Sequence, residues 1–137
     1  MYSNAVILKA KRTPIGSFQG NLSSFSASEL ASFVIHDLLK DIKFDRTLIN
    51  EIILGNVLSA GQGQAPARQA ALKGGCENSI EALTINKMCG SGLKAVMLAD
   101  QAIRCGDADI ILAGGMESMS NAPHILTNSR KGTRLGH

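Results

Sequence analysis

The stretch Asn86-Lys87-Met88-Cys89-Gly90-Ser91-Gly92-Leu93-Lys94 concentrates residue types that can do chemistry. An apolar strand-like run leads into a turn of Cys, Gly, Ser and Gly, and an Ala-rich helix pattern follows. A helix N-terminus carries partial positive charge, worth roughly 0.3–1 kcal/mol for a nearby anion. It favours thiolate over thiol, and the thiolate is the nucleophile. The glycines permit close approach of a substrate to the backbone. Backbone N–H groups of the first turn can stabilise an oxyanion on a carbonyl attacked by sulfur. Cys89 therefore reads as a nucleophile for acyl transfer through a thioester.

Two other readings use the same residues. Free cysteine is among the most buried residue types, so Cys89 also reads as a small core side chain. That reading is stronger for Cys76, in a loop after Gly74-Gly75, and for Cys105, at a helix end. Gly90-Ser91-Gly92-Leu93-Lys94-Ala95 also fits the G-x-G-x-x-A dinucleotide fingerprint, with Asp107 or Asp109 near the expected acid. Its place after the third strand, rather than the first, counts against this.

The elements that must position the turn follow from the apolar pattern. Ala5-Val6-Ile7-Leu8 reads as a buried strand. Residues 9–21 read as loop, with Thr13-Pro14 and Gly16. Ser26-Ala27-Ser28-Glu29 fits a capping box opening a helix over about 27–43, with Leu30, Phe33, Val34, Leu38 and Ile42 at helical spacing. Residues 51–57 contain Ile52-Ile53-Leu54 and read as a second strand. The segment 59–64 is small, polar and flexible in composition. Pro66 suits a first helical turn, Ala67 to Lys73 continue it, and Gly74-Gly75 end it. Leu83 to Asn86 read as a third strand, Leu93 to Arg104 as a helix closed by Gly106, and Ala108 to Ala113 as a fourth strand before Gly114-Gly115. Continuous apolar strands alternating with helices predict an α/β protein, a mostly parallel sheet covered by helices on both faces. Ligands of such sheets bind at the carboxyl ends of the strands, where the Cys89 turn falls. Residues 121–137 are polar and basic, with Arg130, Lys131 and Arg134, and show no period.

Composition narrows the classes. In 137 residues, 45% are hydrophobic and 18% charged, against a disordered tail. Aromatic residues make up 4%, with no Trp, against a base-stacking nucleic-acid platform. A net charge of +3, evenly spread, is too weak for a phosphate-binding stripe. The three scattered cysteines form neither a disulfide framework nor a zinc pair, which favours a reducing compartment. Met1-Tyr2-Ser3-Asn4 carries no basic region of a signal peptide. No apolar run approaches the roughly 20 residues of a membrane helix. The expectation is a soluble, cytoplasmic protein without a metal or prosthetic group.

The residues 86–96, N-K-M-C-G-S-G-L-K-A-V, resemble the acyl-enzyme signature of the thiolases. The resemblance extends to Arg12-Thr13-Pro14-Ile15-Gly16-Ser17-Phe18 with Gly20, to Gly55-Asn56-Val57, to Gly63-Gln64-Ala65-Pro66-Ala67-Arg68-Gln69, and to Ala113-Gly114-Gly115-Met116-Glu117-Ser118-Met119-Ser120. It covers essentially the whole chain, in order. It implies a thiolase-like fold, with residues 1–118 as an incomplete N-terminal α/β half and 119–137 as the start of an inserted loop domain. It implies an acetyl-CoA acetyltransferase, with acyl-CoA and CoA as substrates and no cofactor. Cys89 takes the acyl group and its backbone N–H belongs to an oxyanion hole. Gln64 lies near a dimer interface, and the whole enzyme is a homodimer or homotetramer. The family draws its activating histidine, an Asn-held water and a second cysteine from the C-terminal half. His36, His124, His137 and Cys105 are poor matches to them. The 137 residues are thus expected to be an N-terminal portion, inactive alone in condensation, with apolar surface left uncovered. A non-catalytic dimerisation module and a dinucleotide-binding domain are the alternatives.

Overall fold

A computed structural model describes residues 4–132. The opening residues Met1, Tyr2 and Ser3, and Arg134 and His137 in the basic tail, lie outside the described residues. The element order is α1 (Ala27–Asp41), β1 (Glu51–Gly55), α2 (Pro66–Lys73), β2 (Glu81–Ile85), α3 (Ser91–Cys105) and β3 (Ile111–Gly115), with short 3-10 turns at Arg46–Leu48, Met119–Asn121 and Ser129–Lys131.

The strands form one parallel sheet in the order β2-β1-β3, with Glu51 in register with Glu81 on one side and Ile111 on the other. From central β1 the chain crosses to β2 and then back past β1 to β3. Right-handed crossovers in opposite directions put α2 and α3 on opposite faces. Alternation along β1 agrees. Ile52 and Leu54 join one core cluster with Ala27, Ala31, Ile35 and Leu39 of α1 and Ala67, Ala70 and Ala71 of α2. Gly55 faces the other way, against Ser91 at the start of α3. The α/β reading, a parallel sheet with helices on both faces, is what the chain builds.

The capping box forms as the sequence indicates. The Ser26 hydroxyl accepts from the Glu29 N–H, and the Glu29 carboxylate accepts from the Ser26 N–H at 2.8 Å. The helix ends at Asp41, because Ile42 is already extended. Its most buried face is not the large apolar set but Ala27, Ser28, Ala31, Ser32, Ile35 and Leu39. Small residues let α1 lie close on the alanine face of α2, and a Cβ on Gly74 would come within 2.6 Å of Ile35. Phe33 is left half exposed, edge-on to Phe25 at 5.2 Å.

One predicted strand is absent. Ala5 to Leu8 form no strand, and Val6, Ile7 and Leu8 are exposed. A strand needs a partner edge, and neither β2 nor β3 pairs with this run. The chain after it is instead tied to α1: Lys9 pairs with Asp41 at 2.8 Å, and Lys11 with both Asp41 and Asp37. The last strand also starts later than predicted, at Ile111. Asn50 Oδ1 accepts from the N–H groups of both Asp109 and Ile110, holding that entry as a turn. The segment 59–64, flexible in composition, is irregular but pinned. The Gln62 side chain donates to the Leu58 carbonyl just before it, and the Gln69 side chain to the Gln62 and Gln64 carbonyls within it. Along α3, Leu93, Val96 and Met97 form an exposed apolar face, as an uncovered helix would show.

Candidate active site

All three strands run the same way, so the segments that follow them meet at one edge. Cys89 stands there, exposed, in the turn between β2 and α3. Two side chains build the turn. Asn86 Oδ1 accepts from the Met88 N–H at 3.0 Å, an Asx turn. The buried Ser91 hydroxyl donates to the Met88 carbonyl at 2.6 Å and accepts from the Lys87 N–H at 2.8 Å. Between them Met88 is forced to φ +50°, a left-handed conformation costing on the order of 1 kcal/mol for a side-chain-bearing residue. The result presents Cys89 ahead of the first turn of α3.

Close backbone approach seats the helix start. A Cβ on Gly55 would fall 2.5 Å from Ser91, and one on Gly115 would fall 3.1 Å from the Gly92 Cα. The first turn of α3 thus rests on the ends of β1 and β3 with no side chain between.

A polar network joins the strand ends. Asn56, fully buried, donates from Nδ2 to Glu117 Oε1 at 2.8 Å and to the Met116 carbonyl at 3.3 Å. Its Oδ1 accepts from Gln62 Nε2 at 3.2 Å. The Glu117 carboxylate also accepts from the N–H groups of Val57 and Leu58, at 2.9 and 3.1 Å. The Val57 carbonyl accepts from Asn86 Nδ2 at 3.4 Å, which closes the path from β3 through β1 to the Cys89 turn. Gln62 Oε1 is buried in this network with no partner among the described residues.

The other sequence candidates fall elsewhere. Cys105, read as a buried small side chain, is exposed at the far end of α3. Gly106 caps that helix in the left-handed conformation, so Cys105 sits on its open last turn rather than against the sheet. Cys76 is half-buried, and burial pushes its thiol up. His36 is exposed on α1, in the layer across the sheet from α3, and His124 is exposed in the loop after Asn121. Gln64 is exposed, its carbonyl accepting from Gln69. Asp107 follows α3 and lines a cleft of about 450 Å3 at the amino edge with Asn50, Glu51 and Glu81. About 22 Å of helix, at 1.5 Å per residue, separates it from Gly90. The fingerprint glycines and their acid are therefore not brought together, and Asp109 is held in the same amino-edge turn. A second groove, about 680 Å3, lies between residues 13–18 and 117–120 and shares Glu117 with the network. Among the described residues, no group of three His, Cys, Asp or Glu is arranged to hold a metal. Among the described residues no helix is long and apolar enough to cross a membrane.

Asn56, Gln62 and Glu117 had no role assigned from sequence. Their partners lie up to 61 residues apart, and spacing carries no signal for that. Asn86, read from sequence only as the end of the third strand, makes its Asx turn with a residue two positions on, a local spacing that could have revealed it.

Fold and site define an α/β protein whose candidate cysteine stands on a strand-to-helix turn at the carboxyl edge of a parallel sheet. Residues 5–137 match the family described as "Thiolase, N-terminal domain", and the chain belongs to the thiolase family. It is 56% identical over 134 residues to the "Probable acetyl-CoA acetyltransferase" of Escherichia coli K12, covering 98% of this chain and 34% of that protein. It is 56% identical over 136 residues to the "Acetyl-CoA acetyltransferase" of Allochromatium vinosum, covering 99% and 34%. To the "Acetyl-CoA acetyltransferase 2" of Arabidopsis thaliana it is 53% identical over 131 residues, covering 96% and 32%. The chain spans about a third of the length of these relatives.

Proposed function

We propose that this chain carries the acyl-accepting half of an acetyl-CoA acetyltransferase, with Cys89 as the residue acylated. The exposed cysteine ahead of a helix N-terminus, on a turn held open by a left-handed Met88, is the observation that carries this reading. The Cys89 thiolate attacks the thioester carbonyl of acetyl-CoA, the carbon–sulfur bond to CoA breaks, and CoA leaves as thiolate to be protonated. The Cys89 N–H, before the first turn of α3, donates to the carbonyl oxygen as its charge develops. The acetyl group then passes to the enolate of a second acetyl-CoA, giving acetoacetyl-CoA, and thiolysis by CoA is the reverse.

The relatives named acetyl-CoA acetyltransferase support this choice of substrate. By the family resemblance, the base for Cys89 and the proton carrier for carbon–carbon bond formation come from the part of the enzyme beyond this portion; His36 on α1 and Cys105 at the far end of α3 stand away from the carboxyl edge. The 137 residues alone are expected to be inactive in condensation, because groups that act as a unit lose most of the rate together. The same reading places the protein in the cytoplasm, as a dimer or tetramer when whole. Intact-mass measurement of the whole enzyme with acetyl-CoA tests it. A +42 Da acetyl adduct mapping to Cys89, lost in Cys89→Ser, is the expected outcome for an acetyl transfer of this chemistry. An adduct spread equally over Cys89 and Cys105 refutes it.

The exposed Leu93, Val96 and Met97 on α3 favour a second reading, an association module. A discrete dimer in size-exclusion chromatography, dissociated by Met97→Lys, supports that reading, and a monomer removes it.

A further inference from the structure

Glu117 stands on the segment after β3, yet its carboxylate ends at the segment after β1. Three donors converge on it: Asn56 Nδ2, Val57 N–H and Leu58 N–H. It pairs with no cation within 4.0 Å among the described residues, so it serves the backbone rather than a neighbouring charge. Its partners hold Val57 where the Val57 carbonyl meets Asn86 Nδ2, and the other end of that amide holds the Met88 N–H. We propose that Glu117 is a positioning residue for Cys89, acting through Val57 and Asn86 to keep Met88 left-handed and Cys89 at the head of α3. The proposal rests on the reading of Cys89 as the reacting thiol.

The physical argument is one of competing conformations. Met88 prefers negative φ, and its hydrogen bonds to Asn86 and Ser91, with the Gly90 N–H on the Lys87 carbonyl across the same turn, oppose that preference. Asn86 can hold Met88 only while its own amide is oriented, and the Val57 carbonyl supplies that orientation. A glutamine at 117 brings an NH2 group where one of the three donors now finds an acceptor. One N–H among Val57, Leu58 and Asn56 then loses its partner, and the segment shifts. Asn86 is released and Met88 relaxes, which carries Cys89 away from the helix end. Glu117 makes no contact with Cys89, so it does not enter the chemistry itself.

Cys105 provides a reference within the same molecule, because it is exposed at the opposite end of the same helix. The test is the rate of iodoacetamide alkylation at each cysteine, followed by peptide mass in the full 137-residue chain. In Glu117→Gln, Cys89 is expected to slow by about threefold or more while Cys105 is unchanged, a size usual for coupled residues in one network. Asn86→Ala, which cuts the last link and spares the carboxylate, is expected to slow Cys89 similarly. The double variant is expected to be no slower than the slower single one. An unchanged Cys89 rate, an equal fall at Cys105, or additive losses in the double variant overturns the proposal. Failure of acetyl-CoA to label Cys89 in the whole enzyme, with these alkylation ratios intact, overturns the functional reading and leaves the positioning role standing.

Discussion

Gly55→Ala inserts a single methyl at the contact that seats the candidate site. Gly55 closes β1 and faces the first turn of α3. Its added Cβ would lie 2.5 Å from the Ser91 carbonyl carbon and Cβ, and 2.7 Å from the Gly92 nitrogen. That is about 1 Å inside an optimal carbon–carbon contact of roughly 3.5 Å. The atoms it meets are helical backbone, and Ser91 is clamped by hydrogen bonds to Met88 and Lys87, so no flexible side chain can swing aside. Overpacking of this kind costs about 1–3 kcal/mol, and a backbone obstacle puts it at about 2–3. With a urea m-value of about 1.5 kcal/mol/M for a chain of this size, the unfolding midpoint falls by about 1.3–2 M. Urea titration by circular dichroism measures it directly. Gly114→Ala is the matched control in the adjacent strand, where the new Cβ meets only Leu54 Cδ2 at 3.8 Å. Its midpoint is expected to move by less than about 0.5 kcal/mol-equivalent. Coincident midpoints for the two variants would refute the seating argument.

Other perturbations follow from the same geometry. Ser26→Ala removes the hydroxyl half of the α1 capping box, together with the hydroxyl's own bond to the Glu29 carboxylate, while the backbone N–H of residue 26 can still donate to Glu29; the loss is expected to cost about 1 kcal/mol in a denaturant titration. Hydrogen bonds from Ser26 hold the Glu29 carboxyl below its ordinary value, so that stabilisation is present above the unfolded pKa and is lost as pH falls through the folded one. The difference between wild type and Ser26→Ala should therefore shrink in acid. Asp41, bridged by Lys11 and Lys9, titrates at about 2; Lys11→Met is expected to raise that midpoint in a carboxyl NMR titration, and salt should do the same more weakly. Burial and the facing Glu81 push the Glu51 carboxyl up, so the folded state prefers it protonated. Glu51→Gln is expected to add about 0.5 kcal/mol of stability at neutral pH, with the gain vanishing as pH falls below the unfolded carboxyl value. Cys76, half-buried with a raised thiol, should alkylate after Cys89 and Cys105 in a timed mass-mapping experiment.

Local order in this chain was legible where the signal is local. The Ser26–Glu29 box, the Pro66 start of α2 and the Gly106 end of α3 each depend on residues within one turn of each other, and each formed where the residues indicated. Cys89 was legible for the same reason, since a strand, a small-residue turn and an amphipathic helix are consecutive in sequence. Ala5 to Leu8 misled because an apolar run specifies only the wish to be covered, and what covers it is a matter of tertiary partners. Cys105 misled because residue type sets an average burial, whereas its place on an open last turn depends on how α3 lies on the sheet.

By itself, the sequence determined the alternation of strand and helix, the parallel α/β class and the turn that carries Cys89, because periodicity and capping act over a few residues. It also carried, through motifs spread along the chain, the family to which the match over residues 5–137 assigns it. Tertiary structure alone decided that the strands order as β2-β1-β3, so that three separate segments meet at one edge. It decided that Asn56, Glu117 and Asn86 form one polar path to Met88, and that Asp107 lies at the opposite edge from Gly90. These are relations between residues tens of positions apart. Their energies exist only once the sheet has brought the strand ends together, and no local pattern encodes them.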